Sequence, residues 1–282
     1  MKKFLCPLCG CKEYQESWIR LSFLEHQFDY LQCLGCRSLI CEPMPDEKML
    51  GRMYDSAYSE DFGKDKALEK FSDVIDYLKT LNKGLFIDYG CGDGQLLKKV
   101  RSMGWDVLGI EFNPDFAAEL KKDGIKVISY LDTPPFQADV LHLGDVIEHL
   151  TDLDNQFPQI LELLKDDGYL VAHGPLEGNP NLFFQMLKIG KIFKRSKITN
   201  MAPFHVILAT SKGQLDLFER NKLKKEIFQV DEVAFPAVEH ISFGDLGDIR
   251  KAGLFLIRKA SQITSTINMK NLGNRYFYVG KR

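Results

Sequence analysis

The chain has 282 residues and 45 % of them are apolar, which is enough to bury a full core as one large domain or as one domain with a small module. Its 37 basic and 39 acidic residues give a net charge of −2, so there is no global electrostatic attraction for nucleic acid. No apolar run approaches the roughly 18 residues of a membrane span, and the N-terminal residues break at Cys6-Pro7 before a signal-peptide core could form. We therefore expect a cytoplasmic protein whose cysteines are reduced.

The N-terminal region carries two pairs of cysteines, each with two residues between its members. The pairs are Cys6 and Cys9, then Cys33 and Cys36. A turn of this spacing lets two thiolates face one ion, and two such turns complete a tetrahedral site with four protein ligands. The segment 14–33 predicts two short strands. We therefore interpret residues 1–45 as a zinc-ribbon module that binds a structural Zn2+ ion. The alternative is two unrelated pairs of reduced cysteines.

Other residues of this module bear on the zinc interpretation. Gly10 and Gly35 fall where the two turns would bend. Cys11 could compete with Cys9 as a ligand, and Cys41 lies outside the pattern. Because metal binding and folding are coupled in a module this small, we expect about one zinc ion per chain.

A linker and two helices are predicted after the module. Pro43 and Pro45 indicate the linker. Tyr54 and Tyr58 lie four residues apart on one face of the first helix, where they either fold over a cofactor or pack on a sheet. Apolar residues recur with helical spacing between residues 67 and 81 and predict the second helix.

From residue 84 onwards, predicted strands and helices alternate with short loops between them. This pattern predicts an α/β fold with a parallel sheet that is covered on both faces and, because crossovers are right-handed, doubly wound. Strands are predicted at 84–90, 105–112, 125–131, 138–146 and 169–175, and helices at 94–104, 113–124 and 154–168.

A glycine-rich loop follows the first strand of this predicted sheet. In an open α/β sheet, ligands bind at the carboxyl ends of the strands, where this loop lies. Gly90, Gly92 and Gly94 permit positive φ angles and a close approach to the backbone. Glu111 ends the next predicted strand, where a carboxylate can bind both hydroxyls of a ribose. The loop therefore predicts a ligand that contains a nucleoside.

Two classes of cofactor are candidates for this nucleoside site. A dinucleotide site needs Gly-x-Gly-x-x-Gly, whereas in this chain Gln95 stands in the place of the third glycine. Asp88 and Asp93 would also bring negative charge close to a pyrophosphate. S-adenosylmethionine carries an ammonium and a sulfonium and has no phosphate, so acidic residues beside the loop favour it.

Several motifs, in order along the chain, resemble one family. IDYGCGDG resembles the first motif of class I S-adenosylmethionine-dependent methyltransferases, and VLGIEFN resembles their second strand. ADVLHLGDVIEHLTD is similar to their fourth-strand motif, and FHVILATSKGQLDLF to a segment of the small-molecule branches. LLKDDGYLVAHGP resembles the segment usually written Leu-Lys-Pro-Gly-Gly-x-Leu, with Asp166 and Asp167 in place of Pro and Gly. The resemblance runs from Leu85 to Phe218.

The resemblance implies a Rossmann-like, seven-stranded methyltransferase sheet whose last two strands, at 224–235 and 274–282, form a reversed hairpin. It also implies S-adenosyl-L-methionine as cofactor, with one further acid accepting a hydrogen bond from the adenine amine. The implied cofactor contacts are Asp88, Gly90, Gly92, Gly94, Glu111 and the adenine acid Asp132, with backbone contacts near Gly144 and Asp145.

Three histidines are candidate general bases. A methyl group on a sulfonium is already activated, so the protein chiefly aligns the acceptor, and an oxygen acceptor also needs a base. His149 follows the predicted fourth strand, His173 ends the fifth, and His205 follows a predicted lid. Each of them could instead be structural, for example hydrogen-bonded where a strand turns into a helix.

Two insertions, at about 176–204 and 236–272, are expected to select the acceptor. In the first, apolar residues share one face of a predicted helix and basic residues group on another. The apolar residues are Leu182, Met186, Ile189 and Phe193, and the basic ones are Lys188, Lys191 and Arg195. Three interpretations of this helix are open: it covers the acceptor as a lid, it attracts an anionic acceptor, or it binds a membrane surface or a nucleic acid. The second insertion could complete the pocket or a homodimer contact.

We therefore predict a methyltransferase domain at 46–282 behind the zinc-ribbon module. The predicted reaction is O-methylation of a small-molecule or carbohydrate acceptor, such as a nucleotide-linked sugar, because zinc modules ahead of this fold resemble those of bacterial sugar methyltransferases. One alternative is an RNA methyltransferase whose zinc module grips the nucleic acid, which the near-neutral charge disfavours. The other is a non-catalytic protein that binds S-adenosylmethionine and serves as a scaffold.

Overall fold

The computed structural model describes residues 4–57, 68–130, 132, 136–193, 198–233, 249–268 and 271–282. Some residues singled out in the sequence lie outside these ranges or have side chains that are not described. They are Tyr54, Tyr58, Lys191, Phe193 and Arg195. The expectations for these side chains stay predictions.

The described strands and helices are numbered in chain order. The strands are β1 (Tyr14–Phe23), β2 (His26–Cys33), β3 (Leu39–Glu42), β4 (Leu85–Tyr89), β5 (Asp106–Ile110), β6 (Val127–Ile128), β7 (Ala138–Gly144), β8 (Leu164–Pro175), β9 (Thr199–Asn200), β10 (Ile207–Leu208), β11 (Lys224–Asp231) and β12 (Arg275–Lys281). The helices are α1 (Glu47–Ala57), α2 (Ser72–Leu78), α3 (Gln95–Ser102), α4 (Pro114–Lys122), α5 (Leu153–Leu161), α6 (Leu182–Phe193), α7 (Ser211–Arg220) and α8 (Ile249–Asn268), with 3₁₀ turns at Leu68–Phe71 and Ile147–His149.

The chain divides into two compact units. One comprises 1–44, 175–220 and 228–276, and the other comprises 45–174, 221–227 and 277–282. We call them the cysteine unit and the glycine-loop unit. The predicted boundary between a module at 1–45 and a domain at 46–282 stays a prediction.

The seven-stranded sheet has the order β11-β12-β8-β7-β4-β5-β6. Strands β4, β5, β6, β7 and β8 pair in parallel, with Asp88 of β4 opposite both Gly109 of β5 and His142 of β7. The predicted α/β fold with a seven-stranded sheet is confirmed. Because the strand order reverses beside β4, the loop after β4 lies where ligands bind in such sheets.

The core of the glycine-loop unit explains why β4 and α3 form. Phe86 and Ile87 of β4 are fully buried, as expected for a central strand that is covered on both faces. In α3, Leu97 and Val100 face the core, and the lysines of the same helix are exposed. Phe86, Leu97 and Val100 belong to one apolar cluster with Val140 of β7, so the sheet and its helices share a core that supports the loop between β4 and α3.

Two predicted element boundaries were wrong. The helix predicted at 154–168 ends at Leu161, and β8 already begins at Leu164, which pairs with Ala138 of β7. The strand predicted at 125–131 is only Val127–Ile128, because β6 is an edge strand that pairs with β5 over two residues. Neither difference changes the order of the strands.

The cysteine unit contains a second sheet, in the order β10-β3-β2-β1-β9. The two strands predicted between the cysteine pairs are present as β1 and β2, which pair antiparallel. Two short strands complete this sheet: β9, from the first insertion, pairs with β1, and β10, which follows that insertion, pairs with β3. Residues that are far apart in sequence therefore share one sheet.

The helices of the cysteine unit include α6, the helix predicted in the first insertion, and α8, which lies in the second insertion. α6 and α8 pack against each other. The face of α6 that contains Leu182, Met186 and Ile189 is exposed. None of the described helices combines the length and the apolar content that a membrane crossing requires.

Candidate functional site

The loop between β4 and α3 is built on three glycines in the left-handed region. Gly90, Gly92 and Gly94 have φ angles of 75°, 53° and 70°. A Cβ atom at Gly94 would lie 2.2 Å from Leu120 Cδ2, whereas at Gly92 it would meet nothing within 4 Å. Gly94 is thus required by packing, and Gly92 leaves open space above the backbone for a ligand.

The carboxylate of Glu111 is tied to this loop. Its Oε2 accepts a hydrogen bond from the Gly92 amide at 2.7 Å. Its Oε1 accepts from the amides of Phe112 and Asn113 at 2.8 and 2.7 Å. The residue is 7 % exposed. The structure therefore brings the predicted ribose acid and the glycine loop together at the carboxyl ends of β4 and β5.

An exposed aromatic pair lies beside Glu111 and was missed in the sequence. Phe112 follows Glu111, and its ring stacks on Tyr130 with centroids 3.9 Å apart and planes 9° from parallel. Both rings are exposed, at 67 % for Phe112 and 41 % for Tyr130. Asp132 makes a local hydrogen bond, in which its Oδ2 accepts from the Ser129 amide at 3.1 Å. Two large apolar rings in water are a candidate contact for a flat ligand.

Asp88 is engaged inside the sheet. Its Oδ1 lies 2.6 Å from Nδ1 of His142, and both residues are buried. His142 was also missed, although a histidine inside the apolar strand ADVLHLG is itself a signal of a partner. Its ring lies 5.0 Å from that of His173, measured between centroids. The predicted cofactor residue Asp88 and the predicted base His173 thus belong to one buried polar array.

The end of β7 carries the other predicted cofactor residues of this unit. A Cβ atom at Gly144 would lie 2.8 Å from Nε2 of His173. Asp145 has a φ of 55°, donates its amide to the His173 carbonyl at 2.9 Å, and forms a salt bridge with Lys70. His149 ends the 3₁₀ turn that follows and is half-buried. These residues lie at the same carboxyl edge of the sheet as the glycine loop.

His205 lies in the cysteine unit and has a carboxylate partner. Its Nδ1 is 2.7 Å from Oε2 of Glu177, which follows the last residue of β8 by two positions. The side chain of His205 is 31 % exposed. Proton donation from Nδ1 to the carboxylate leaves the acceptor lone pair on Nε2. Glu177 was not singled out in the sequence.

The cysteines predicted as ligands converge. The sulfurs of Cys6, Cys9, Cys33 and Cys36 all lie within 4.8 Å of one another. The Sγ atoms of Cys6 and Cys36 are 3.7 Å apart, and those of Cys9 and Cys33 are 3.5 Å apart. The hydrogen bond between Cys6 and Cys36 raises the pKa of Cys6 and lowers that of Cys36. Such crowding of thiols and thiolates is typical of a site for a cation.

The two cysteine turns share a left-handed residue, which lies four positions after the first cysteine of each turn. Gly10 and Arg37 have φ angles of 73° and 68° there. Gly35 serves close packing, because a Cβ atom at this position would lie 2.8 Å from Cys11 Cβ. Cys11 itself accepts a hydrogen bond from the Glu13 amide at 3.5 Å. The left-handed residues of the two turns are therefore Gly10 and Arg37, whereas Gly35 is required by packing.

Comparison with known proteins identifies the family. A family model described as a methyltransferase domain matches residues 64–243, more than half of the chain. The chain belongs to this methyltransferase family. The search against curated proteins found no significant match.

Solved structures agree with the fold of this methyltransferase. A chain from the complex that contains the Haloferax volcanii Trm112 methyltransferase activator aligns at a TM-score of 0.50 and 14 % identity, over 82 % of this chain and 96 % of that chain. An S-adenosylmethionine-dependent methyltransferase from Archaeoglobus fulgidus aligns at 0.46 and 18 %, over 76 % and 92 %. At 14 % identity, the first of these two likenesses concerns the fold alone.

Proposed function

We propose that this methyltransferase uses S-adenosylmethionine to methylate a hydroxyl of a small-molecule or carbohydrate acceptor, with His205 as general base. The observation that carries the cofactor assignment is the carboxylate of Glu111, which is bound to the open glycine loop. The observation that supports the base is the Glu177–His205 pair. We also propose a structural zinc ion in the cysteine unit.

The glycine-loop unit fits the cofactor. S-adenosylmethionine supplies a methyl group that is activated by its attachment to a sulfonium. Glu111 would accept hydrogen bonds from the ribose hydroxyls, and the three amides already on this carboxylate fix its orientation. The open space at Gly92 lets a ligand approach the backbone closely.

Other residues of this unit would complete the cofactor site. The exposed rings of Phe112 and Tyr130 offer apolar area for the adenine, with Asp132 as acceptor for its amine. Asp88 would influence the cofactor site indirectly, through His142, to which it is hydrogen-bonded. Gly144 and Asp145 would contribute backbone contacts at the end of β7.

His205 is the histidine best suited to act as base. It is half-buried, whereas His173 is buried within the array around His142. Glu177 holds the Nδ1 proton, so Nε2 can accept the proton of the acceptor hydroxyl. The carboxylate would also stabilise the imidazolium that results. His173 is then a structural residue of the buried array.

The cysteine cluster fits zinc. A tetrahedral ion with Zn–S bonds of about 2.3 Å requires sulfurs about 3.8 Å apart. The distances of 3.7 and 3.5 Å within two of the sulfur pairs are close to that requirement. Four protein sulfurs leave no position for substrate, so we propose that this zinc stabilises the cysteine unit and takes no part in the chemistry.

The nature of the acceptor is proposed from the first insertion. The twelve residues of α6 include no acidic residue and two lysines. An acceptor with a negative charge, such as a nucleotide-linked sugar, would be attracted to this segment. The insertion would cover such an acceptor as a lid.

Two variants test the cofactor site and the base separately. In Glu111→Gln, one oxygen becomes an amide nitrogen that cannot accept a hydrogen bond, so we expect the affinity for S-adenosylmethionine to fall about 10- to 100-fold in calorimetry. In His205→Ala, we expect unchanged affinity and a turnover that falls about 100- to 10,000-fold. Turnover is measured as transfer of a tritium-labelled methyl group to a panel of nucleotide-linked hexoses.

The outcomes distinguish the two parts of the proposal. If the wild-type protein binds neither S-adenosylmethionine nor its demethylated product, the cofactor assignment is wrong. If His205→Ala retains wild-type turnover, the base assignment is wrong, and the cofactor assignment stands. His26→Ala, at an exposed position of β2, is the matched control, for which we expect turnover near that of the wild type.

A further inference from the structure

The backbone around His205 is held by the strands of the cysteine unit. The hydroxyl of Tyr30, in β2, donates a hydrogen bond to the carbonyl of His205 at 2.6 Å. The amide of Cys41, in β3, donates to the carbonyl of Val206 at 2.9 Å. Ile207 of β10 then pairs with Ile40 of β3. Each residue from 205 to 207 is thus attached to the strands that follow the first cysteine pair.

The attachment continues to the second cysteine turn. Thr210 donates its hydroxyl to the carbonyl of Cys36 at 2.6 Å and its amide to Ser38 Oγ at 3.0 Å. Both Thr210 and Ser38 are buried. A backbone shift at the Cys33–Cys36 turn would therefore move the segment 205–210, because these contacts anchor the end of that segment to the turn.

The partner of His205 is fixed to the same segment. The amide of Gly178, which follows Glu177, donates to the carbonyl of Ala209 at 2.9 Å. A Cβ atom at Gly178 would lie 2.3 Å from the Leu208 carbonyl oxygen, so only glycine permits this approach. Glu177 and His205 are thus connected in two ways: directly through their side chains, and through the hydrogen bond between Gly178 and Ala209, which follows β10.

Tyr30 is suited to be a permanent donor in this arrangement. It is 2 % exposed, and burial raises the pKa of its hydroxyl above the usual value. The hydroxyl therefore keeps its proton and can donate to His205 throughout the neutral range. In contrast, Tyr14 of β1 in the same sheet is 48 % exposed.

We propose that the cysteine unit positions the general base. The metal-bound cysteine turns and Tyr30 fix the backbone of His205. They thereby fix the orientation of the Glu177–His205 pair. This inference rests on the proposed function of His205. Tyr30 is a positioning residue, since it acts through His205. The role of the zinc ion is then indirect, through the strands that connect its ligands to residues 205–210.

The tautomer of His205 provides a test that needs no acceptor. NMR of isotope-labelled histidine ring nitrogens distinguishes a proton on Nδ1 from one on Nε2, and His205→Asn assigns the signal. In the zinc-loaded wild type we expect the Nδ1-protonated form. In Tyr30→Phe, and after removal of the metal by a chelator, we expect a mixed population of tautomers, and readdition of zinc should restore the single form.

Kinetics and a matched variant complete the test. Tyr30→Phe should lower kcat about 10- to 100-fold with the KM for S-adenosylmethionine nearly unchanged, and Tyr14→Phe should leave both constants unchanged. A wild-type tautomer signal in both Tyr30→Phe and the chelated protein would overturn the proposal. Full turnover of His205→Ala would instead overturn the proposed base, and the tautomer result would still decide whether the cysteine unit orients His205.

Discussion

At the scale of single residues, the two glycines Gly92 and Gly94 show how one motif serves both packing and binding. Both adopt positive φ angles, but their surroundings differ. A side chain at Gly94 would overlap the buried Leu120, and one at Gly92 would point into open space. A sequence motif alone cannot separate these two reasons, since each of them requires glycine.

Alanine should therefore mainly lower the stability of the fold at Gly94 and mainly lower the affinity for the cofactor at Gly92. Gly94→Ala adds a clash in the core to the cost of the left-handed conformation, so we expect a loss of about 2–5 kcal/mol in the free energy of unfolding. Gly92→Ala carries only the conformational cost of about 1–2 kcal/mol, but should lose most of the affinity for S-adenosylmethionine. Chemical denaturation and calorimetry on both variants measure the two effects.

A third variant calibrates this comparison. A Cβ atom at Gly124 would meet nothing within 4 Å, and its φ of 69° resembles that of Gly92. Gly124→Ala should therefore match Gly92→Ala in stability and keep full cofactor affinity. Equal affinity losses in the Gly92 and Gly124 variants would contradict the role of Gly92 in binding.

At the scale of elements, the cysteine turns are packed against the start of α7. A Cβ atom at Gly213 in the first turn of this helix would lie 3.2 Å from Cys36 Sγ and 2.3 Å from Ser38 Oγ. The N-terminus of a helix favours a nearby anion, so α7 would stabilise a thiolate at Cys36. The helix would thereby support the proposed metal site without providing a ligand.

Replacement of one cysteine in the cluster should abolish metal binding. We expect Cys36→Ser to contain no zinc and to unfold at a lower temperature, because three remaining sulfurs do not close a structural site. Cys11→Ser is the matched control, since the Cys11 sulfur is hydrogen-bonded to the backbone of Glu13. Elemental analysis of protein purified without added zinc should find about one ion per chain in the control.

The same elements show what the sequence could predict. Local patterns were sufficient for β4, α3 and the glycine loop, because apolar periodicity and glycine spacing act over a few residues. The pairing of β10 with β3 could not be predicted, since two-residue strands carry no periodicity and join distant segments. Glu177 was missed for the same reason: its partner, His205, follows it only after the whole insertion. The convergence of the four cysteines could be predicted because the spacing within each pair is itself local.

At the scale of the whole molecule, charge bears on the kind of acceptor. The net charge is −2 and the isoelectric point is about 6.3, so long-range attraction for a polyanion is absent. Helix α6 has no acidic residue, and its residue Lys188 is exposed. A local patch of this kind could attract one charged group of a small acceptor without binding a nucleic acid backbone.

We accordingly expect no specific affinity for RNA. Fluorescence anisotropy with labelled single-stranded and duplex RNA should give weak binding at low salt that disappears at physiological ionic strength, because few phosphates would be neutralised. Lys188→Glu should leave this weak signal almost unchanged but should raise the KM for an anionic acceptor. The contrary result would be tight RNA binding that depends steeply on salt and is lost in Lys188→Glu. The first insertion would then bind nucleic acid, because its basic segment would contact the phosphate backbone. A sugar acceptor would in that case be untenable.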